Sequence, residues 1–184
     1  MELEISAEAK DKRLNRMVAI TVLVLSIFAG LCNIKDGNVV QAMEQAQAAS
    51  LDRWNEYQAT RTKQHLAEDA RLQLATLAQQ GKASAALADL DEDIERYRDE
   101  APSLAAQARQ QSLAYERLNF HDDQFDAADA AIATAISIAA VAALAEAVVL
   151  LWAAWGFGAF GLFMGLNGFL GGSFHPDALS TILG

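Results

Sequence analysis

The chain has 184 residues, enough for about one ordinary domain, and its 24 acids against 14 lysines and arginines give a net charge of −10. That balance argues against a nucleic-acid binder, which needs a basic face. The single cysteine, Cys32, excludes an internal disulfide and a cysteine-based zinc site. Mean hydropathy is +0.11 although 21% of the residues are charged, so very apolar stretches must sit beside very polar ones.

Residues 1–16 are polar and place Lys10, Lys12, Arg13 and Arg16 just before "MVAITVLVLSIFAGLCNI", 18 uncharged residues at 17–34. The run is long enough for a short spanning helix, assigned to 17–35. A cleaved signal peptide is the rival reading. Against it stand Glu2, Glu4, Glu8 and Asp11 in the region that should be positive, and Leu31 where a lipoprotein signal needs a small residue before its cysteine. Asp36, Gly37 and Asn38 follow as turn and cap formers, and predict that the chain turns as it leaves the membrane.

Residues 36–126 read as a water-exposed helical coiled-coil hairpin; 35–126 carry 17 acids and 10 bases. In its second half Leu87, Leu90, Ile94, Tyr97, Ala101, Leu104, Ala108, Gln111, Tyr115 and Leu118 alternate spacings of 3 and 4, a coiled-coil stripe. Pro102 lies inside it without changing its phase, which predicts a kink and not a stop. In the first half Met43, Gln47, Ser50, Trp54 and Tyr57 share a face; the stripe lapses, then resumes at Leu66, Ala70, Leu74 and Leu77. The turn falls near 81–84, with Gly81 after one helix and Ser84 capping the next. Arms 38–80 and 84–126 are then each 43 residues, roughly 64 Å, which returns the chain to the membrane it left. The acidic run at 89–100 reads as a solvated helix face and not a calcium loop, because it has no loop glycine.

From 127 to 172 there are 46 residues with two acids, Asp129 and Glu146, and no base: too long for one span and right for two, at 127–145 and 148–171. Glu146 lies at the turn, where a carboxylate at headgroup level avoids the cost of mid-bilayer burial; the competing reading is an intramembrane relay. In the third span Gly158, Gly161, Gly165, Gly168 and Gly172 are spaced 3, 4, 3, 4 and form one stripe. Lipid gives no hydrophobic drive to helix association, so a smooth stripe predicts close approach of a partner: the second span, the first, or another subunit. The run argues against a phosphate loop, since there is no strand before the glycines and no lysine among them. The tail is 172–184. The basic N-terminal segment predicts a cytoplasmic N-terminus with residues 36–126 periplasmic.

No catalytic constellation is present. His65, His121 and His175 have no second histidine at ligand spacing, and the serines sit in no nucleophile elbow. "DGNVVQAM" (36–43) and "WNEYQATRTKQHLAE" (54–68) resemble a bacterial family known as domain-of-unknown-function family 4337. The likeness covers nearly the whole chain and is carried best by Trp54, Tyr57, Gln58, Ala59, Lys63, Gln64 and His65, with Asn167, Gly168 and Phe169 in the last span. It implies a basic N-terminal segment, one span, a long polar helical region and two further spans. It also implies basic residues at the last turn, where this chain has Glu146, and it implies no activity.

Trp54, Tyr57, Gln58, Arg61, Lys63 and His65 are a candidate interaction patch; the alternative is that the aromatics fill the space between the arms. The chain is thus expected to be an all-α, three-span protein of the bacterial inner membrane. Its expected role is that of a non-enzymatic scaffolding or interaction subunit without cofactor, metal or identified small-molecule substrate. Its expected partners are membrane lipid and a second copy or another membrane protein. A channel, transporter-accessory or proton-conducting subunit using Glu146 is the alternative.

Overall fold

The structure, a computed structural model, describes residues 2–77 and 84–174, with side chains from 12–76 and 85–174. These residues form three helices, α1 (Glu2–Leu77), α2 (Ser84–Leu144) and α3 (Val148–Leu170), with no strand among the described residues. Each contains a segment long and apolar enough to cross a membrane. The expected turn at 81–84, with Gly81 and the Ser84 cap, lies outside the described side chains, as do His175 and most of the tail.

The turn expected at Asp36–Asn38 does not form: α1 runs through it without a break. A lone interior glycine costs a helix about 1 kcal/mol, too little to end one that cooperates with long helical stretches on both sides. α2 likewise continues through Pro102, which is exposed, and through 126–127, where polar sequence gives way to apolar.

Two compact units result, one of residues 1–41 with 117–184 and one of residues 42–116. In the first, α1, α2 and α3 pack in successive layers. One layer joins Leu14 and Val18 to Ala139, Ala142, Leu151 and Ala154. The next joins Leu25 to Ile132 and Ala135, and a third joins Ala127 and Ala128 to Met164. Residue numbers rise through the layers in α1 and α3 and fall in α2, so α2 runs against the other two. Hydroxyls on the exposed face of α2 bond back one turn, Thr134 Oγ1 to the Ala130 carbonyl and Ser137 Oγ to that of Ala133, both at 2.8 Å.

In the second unit the ten stripe residues of α2 that fall within or beside it, from Leu87 to Leu118, are each buried or half-buried. Across from them α1 buries Met43, Ala46, Ser50, Thr60, Gln64 and Ala67. The stripe of α1 therefore does not lapse after Tyr57. It continues on short and polar residues, which a search for apolar side chains passes over. Leu66, expected on the stripe, is 64% exposed, one position out of phase with buried Ala67; Ala70 and Leu74 are half-buried. Ser50 Oγ donates to the Ala108 carbonyl at 3.2 Å and lies 3.0 Å from Ser112 Oγ, while Arg71 pairs with Asp91, so later residues of α1 meet earlier residues of α2.

Candidate functional site

The glycine stripe packs closely within the first unit. Gly158, Gly161, Gly165 and Gly168 are buried; Gly172 lies beyond the end of α3 and is half-buried. A Cβ on Gly161 would lie 2.7 Å from Ile132 Cγ1 and 3.0 Å from the Ala128 carbonyl oxygen, so α3 meets the backbone of α2 there. A Cβ on Gly165 would lie 2.6 Å from Phe28 and 2.8 Å from Cys32 Sγ; on Gly158 it would lie 3.1 Å from Leu25. At Gly168 the neighbour is the Phe125 ring, at 2.9 Å. The stripe thus serves both other helices of its own chain. Opposite it, α2 buries Ala128, Ala131, Ala135, Ala139 and Ala142, a stripe of small residues at spacings of 3 and 4.

The ends of α3 are fixed by backbone geometry. Gly171 is left-handed at φ 67°, and the Gly172 N–H reaches the Asn167 carbonyl at 2.8 Å, a Schellman closure. The Gln124 side chain, fully buried, donates to the carbonyls of Gly172 at 3.0 Å and Phe174 at 2.7 Å; Asn167 donates to the latter at 3.0 Å. At the other end Glu146 is exposed in the turn between α2 and α3 at φ 52°, and the Ala147 N–H closes α2 on the Ala142 carbonyl at 3.0 Å.

A group of aspartates lies where the apolar run of α1 ends. Asp36 comes from α1; Asp122 and Asp126 lie one turn apart on α2, with Asp129 one turn further. Burial, then the charges of Asp36 and Asp126, push the Asp122 carboxyl up to about 6. Burial raises Asp36 and Asp126 as well. Asp36 and Asp122 face each other between the two helices, and Asp36 Oδ1 is buried without a hydrogen-bond partner among the described residues. Two carboxylates this close do not both ionise readily. Among the described residues, no group of three histidines, cysteines or acids is arranged to hold a metal ion. Sequence reading took Asp36 as a turn former and missed its pairing across helices. The available signal was the spacing of Asp122, Asp126 and Asp129, which puts three acids on one helix face at the edge of an apolar stretch.

The aromatic patch divides by exposure. Trp54, Tyr57 and Arg61 are half-buried, whereas Gln58, Lys63 and His65 are exposed. Trp54 and Tyr57 meet edge to face at 5.5 Å. Arg61 donates to Gln64 Oε1 at 2.7 Å, Gln64 donates to Glu68 at 2.8 Å, and His65 lies 3.3 Å from the other Glu68 oxygen. Arg61 and His65 are therefore tied to each other along α1 through Gln64 and Glu68.

Comparison with curated proteins gives no match, and neither does comparison with solved structures. A family match covers residues 14–171, from buried Leu14 of α1 to the left-handed glycine that ends α3, and this chain belongs to that family, the domain of unknown function DUF4337.

Proposed function

We propose that this is a three-span inner-membrane protein whose residues 36–126 form an antiparallel coiled-coil hairpin outside the bilayer. It acts as a self-associating structural or interaction subunit, with no enzymatic role. The observation that carries this reading is the mismatch between core and surface in residues 42–116. The core there is built largely of alanine and short polar side chains, while Leu51, Leu66, Leu72 and Leu113 are more than half exposed. Isolated helix pairs gain little from such a core, and exposed leucines on a water-facing unit are covered by association. The glycine stripe does not supply that interface, since Leu25, Phe28, Ile132 and Phe125 already fill it. Glu146, exposed in a turn, supports a carboxylate at headgroup level.

Light scattering of the purified full chain in detergent gives the test. The expected particle contains more than one chain, and replacing Leu51, Leu66 and Leu113 together by serine shifts it toward monomer without loss of helix. A parent protein that is a strict monomer at all concentrations overturns self-association.

A further inference from the structure

The N-terminal end of the three-helix unit carries a feature that the scaffold reading leaves unused. Between α1 and α3 lies a groove of about 400 Å³, walled by Leu14, Met17, Val148, Leu151 and two tryptophans, Trp152 and Trp155, with Arg13 as the charged residue at its wall. Trp155 also walls a second groove of about 330 Å³ that continues between the same helices past Val24, Leu25 and Gly158 to Leu162.

Three observations give this place a ligand chemistry. Arg13 and Arg16 have no acid three or four positions away on α1, and neither forms an ion pair with any described residue. Trp155 Nε1 is committed to Thr21 Oγ1 at 2.9 Å, whereas the Trp152 indole N–H has no partner among the described residues and the ring is 66% exposed. From Arg13 to Leu25 the helix rises about 18 Å, close to one leaflet of a hydrocarbon core roughly 30 Å thick. A cation and an unpaired N–H at one end of an apolar trough one leaflet deep match a single kind of molecule.

We infer that the α1–α3 groove binds an anionic phospholipid, its phosphate on Arg13 and Trp152 and one acyl chain laid along Met17, Trp155 and Gly158. The inference rests on the three-span reading. Charge selects the occupant: a second copy meeting this groove about a two-fold axis would bring Arg13 against Arg13, whereas a lipid phosphate meets arginine with complementary charge and geometry. Zwitterionic lipid fills the apolar trough but brings its own cation to the mouth.

The test uses the full chain with Trp54→Phe, so that fluorescence reports Trp152 and Trp155. The protein is reconstituted in phosphatidylcholine vesicles with a minor fraction of phosphatidylglycerol, and either that fraction or an equal amount of phosphatidylcholine is brominated. Brominated phosphatidylglycerol is expected to associate about fivefold more strongly, the factor for one basic residue at an anionic surface. Arg13→Gln removes the preference, and Ala159→Leu, an exposed change that fills the lower groove, weakens it. Arg16→Gln, outside the groove, leaves it intact. Equal quenching by the two lipids in the parent overturns the site, as does a loss with Arg16→Gln equal to that with Arg13→Gln, which marks diffuse surface charge. Flotation with the vesicles is read first: a parent that does not float overturns the three-span reading and this proposal with it, whereas a floating parent without preference overturns the site alone.

Discussion

Two helix pairings in this chain reach close contact by opposite means. In residues 1–41 with 117–184, α3 removes side chains altogether: glycine meets the backbone of α2 at Ala128 and the rings of Phe28 and Phe125. In residues 42–116 the helices keep their side chains and make them short, with Ala46, Ala67, Ala101 and Ala108 buried beside Ser50, Thr60 and Gln64. The first arrangement suits a medium in which burying apolar surface gains nothing and dispersion at close range is what remains. The second suits water, where each buried polar group needs a partner, as Ser50 finds at the Ala108 carbonyl. A smooth face is therefore intolerant of added atoms, whereas an alanine-built face with few large residues is intolerant of losing any of them.

That contrast breaks most visibly at Gly161. Gly161→Leu is expected to cost about 3 kcal/mol or more, because a backbone carbonyl cannot move aside. Gly158→Ala is expected to cost under about 1 kcal/mol, since its nearest neighbours are the rotatable ends of Leu25. Thermal melts of both variants in one detergent decide it; equal losses would show that backbone proximity is not what fixes the seam. In the other unit, Leu104→Ala removes one of the few large buried side chains and is expected to cost about 2–3 kcal/mol. A change within error there would mean that the leucine can be spared and the core is larger than these two helices.

The aspartate group sharpens the comparison through pH. Folding raises Asp122 from 3.8 to about 6, so the folded state favours the protonated acid. The stability this contributes is fully present below about 3.8 and is lost as pH rises through about 6. The melting midpoint of the three-helix unit should therefore fall between about pH 3.8 and pH 6, and Asp122→Asn should flatten that part of the profile. An unchanged slope in the variant would remove Asp122 as its cause. The smallest effect is expected at the turn. Glu146 occupies a left-handed conformation that glycine adopts freely, so Glu146→Gly should raise stability by up to about 1 kcal/mol. A loss there would show that the carboxylate itself holds the turn.

Much of the helical organisation was legible because it depends on local spacing. Indexing Gly158 to Gly172 at 3 and 4 identifies a face, and the alternation from Leu87 to Leu118 identifies another. Leu66 misled for a related reason: it is a large apolar residue beside a stripe that had turned to Thr60, Gln64 and Ala67. Asp36 to Asn38 misled as local turn formers inside a helix that cooperativity carries through them. Family membership was legible in the tryptophan segment of the first arm and is shown over residues 14–171.

Composition and periodicity by themselves determined that the chain is helical, where its apolar segments lie, and which glycines share a face. Such features follow from neighbours three or four positions apart. Only the tertiary structure decided which helices the glycine stripe meets, that α2 answers it with alanines, that Asp36 is brought beside Asp122, and that Arg13 stands beside two tryptophans over an apolar trough. Each of those is a meeting between residues on different helices, far beyond the reach of a spacing of three or four. No periodic pattern in a single helix encodes which face of another it will find; that is settled by which pairing of faces allows the closest approach.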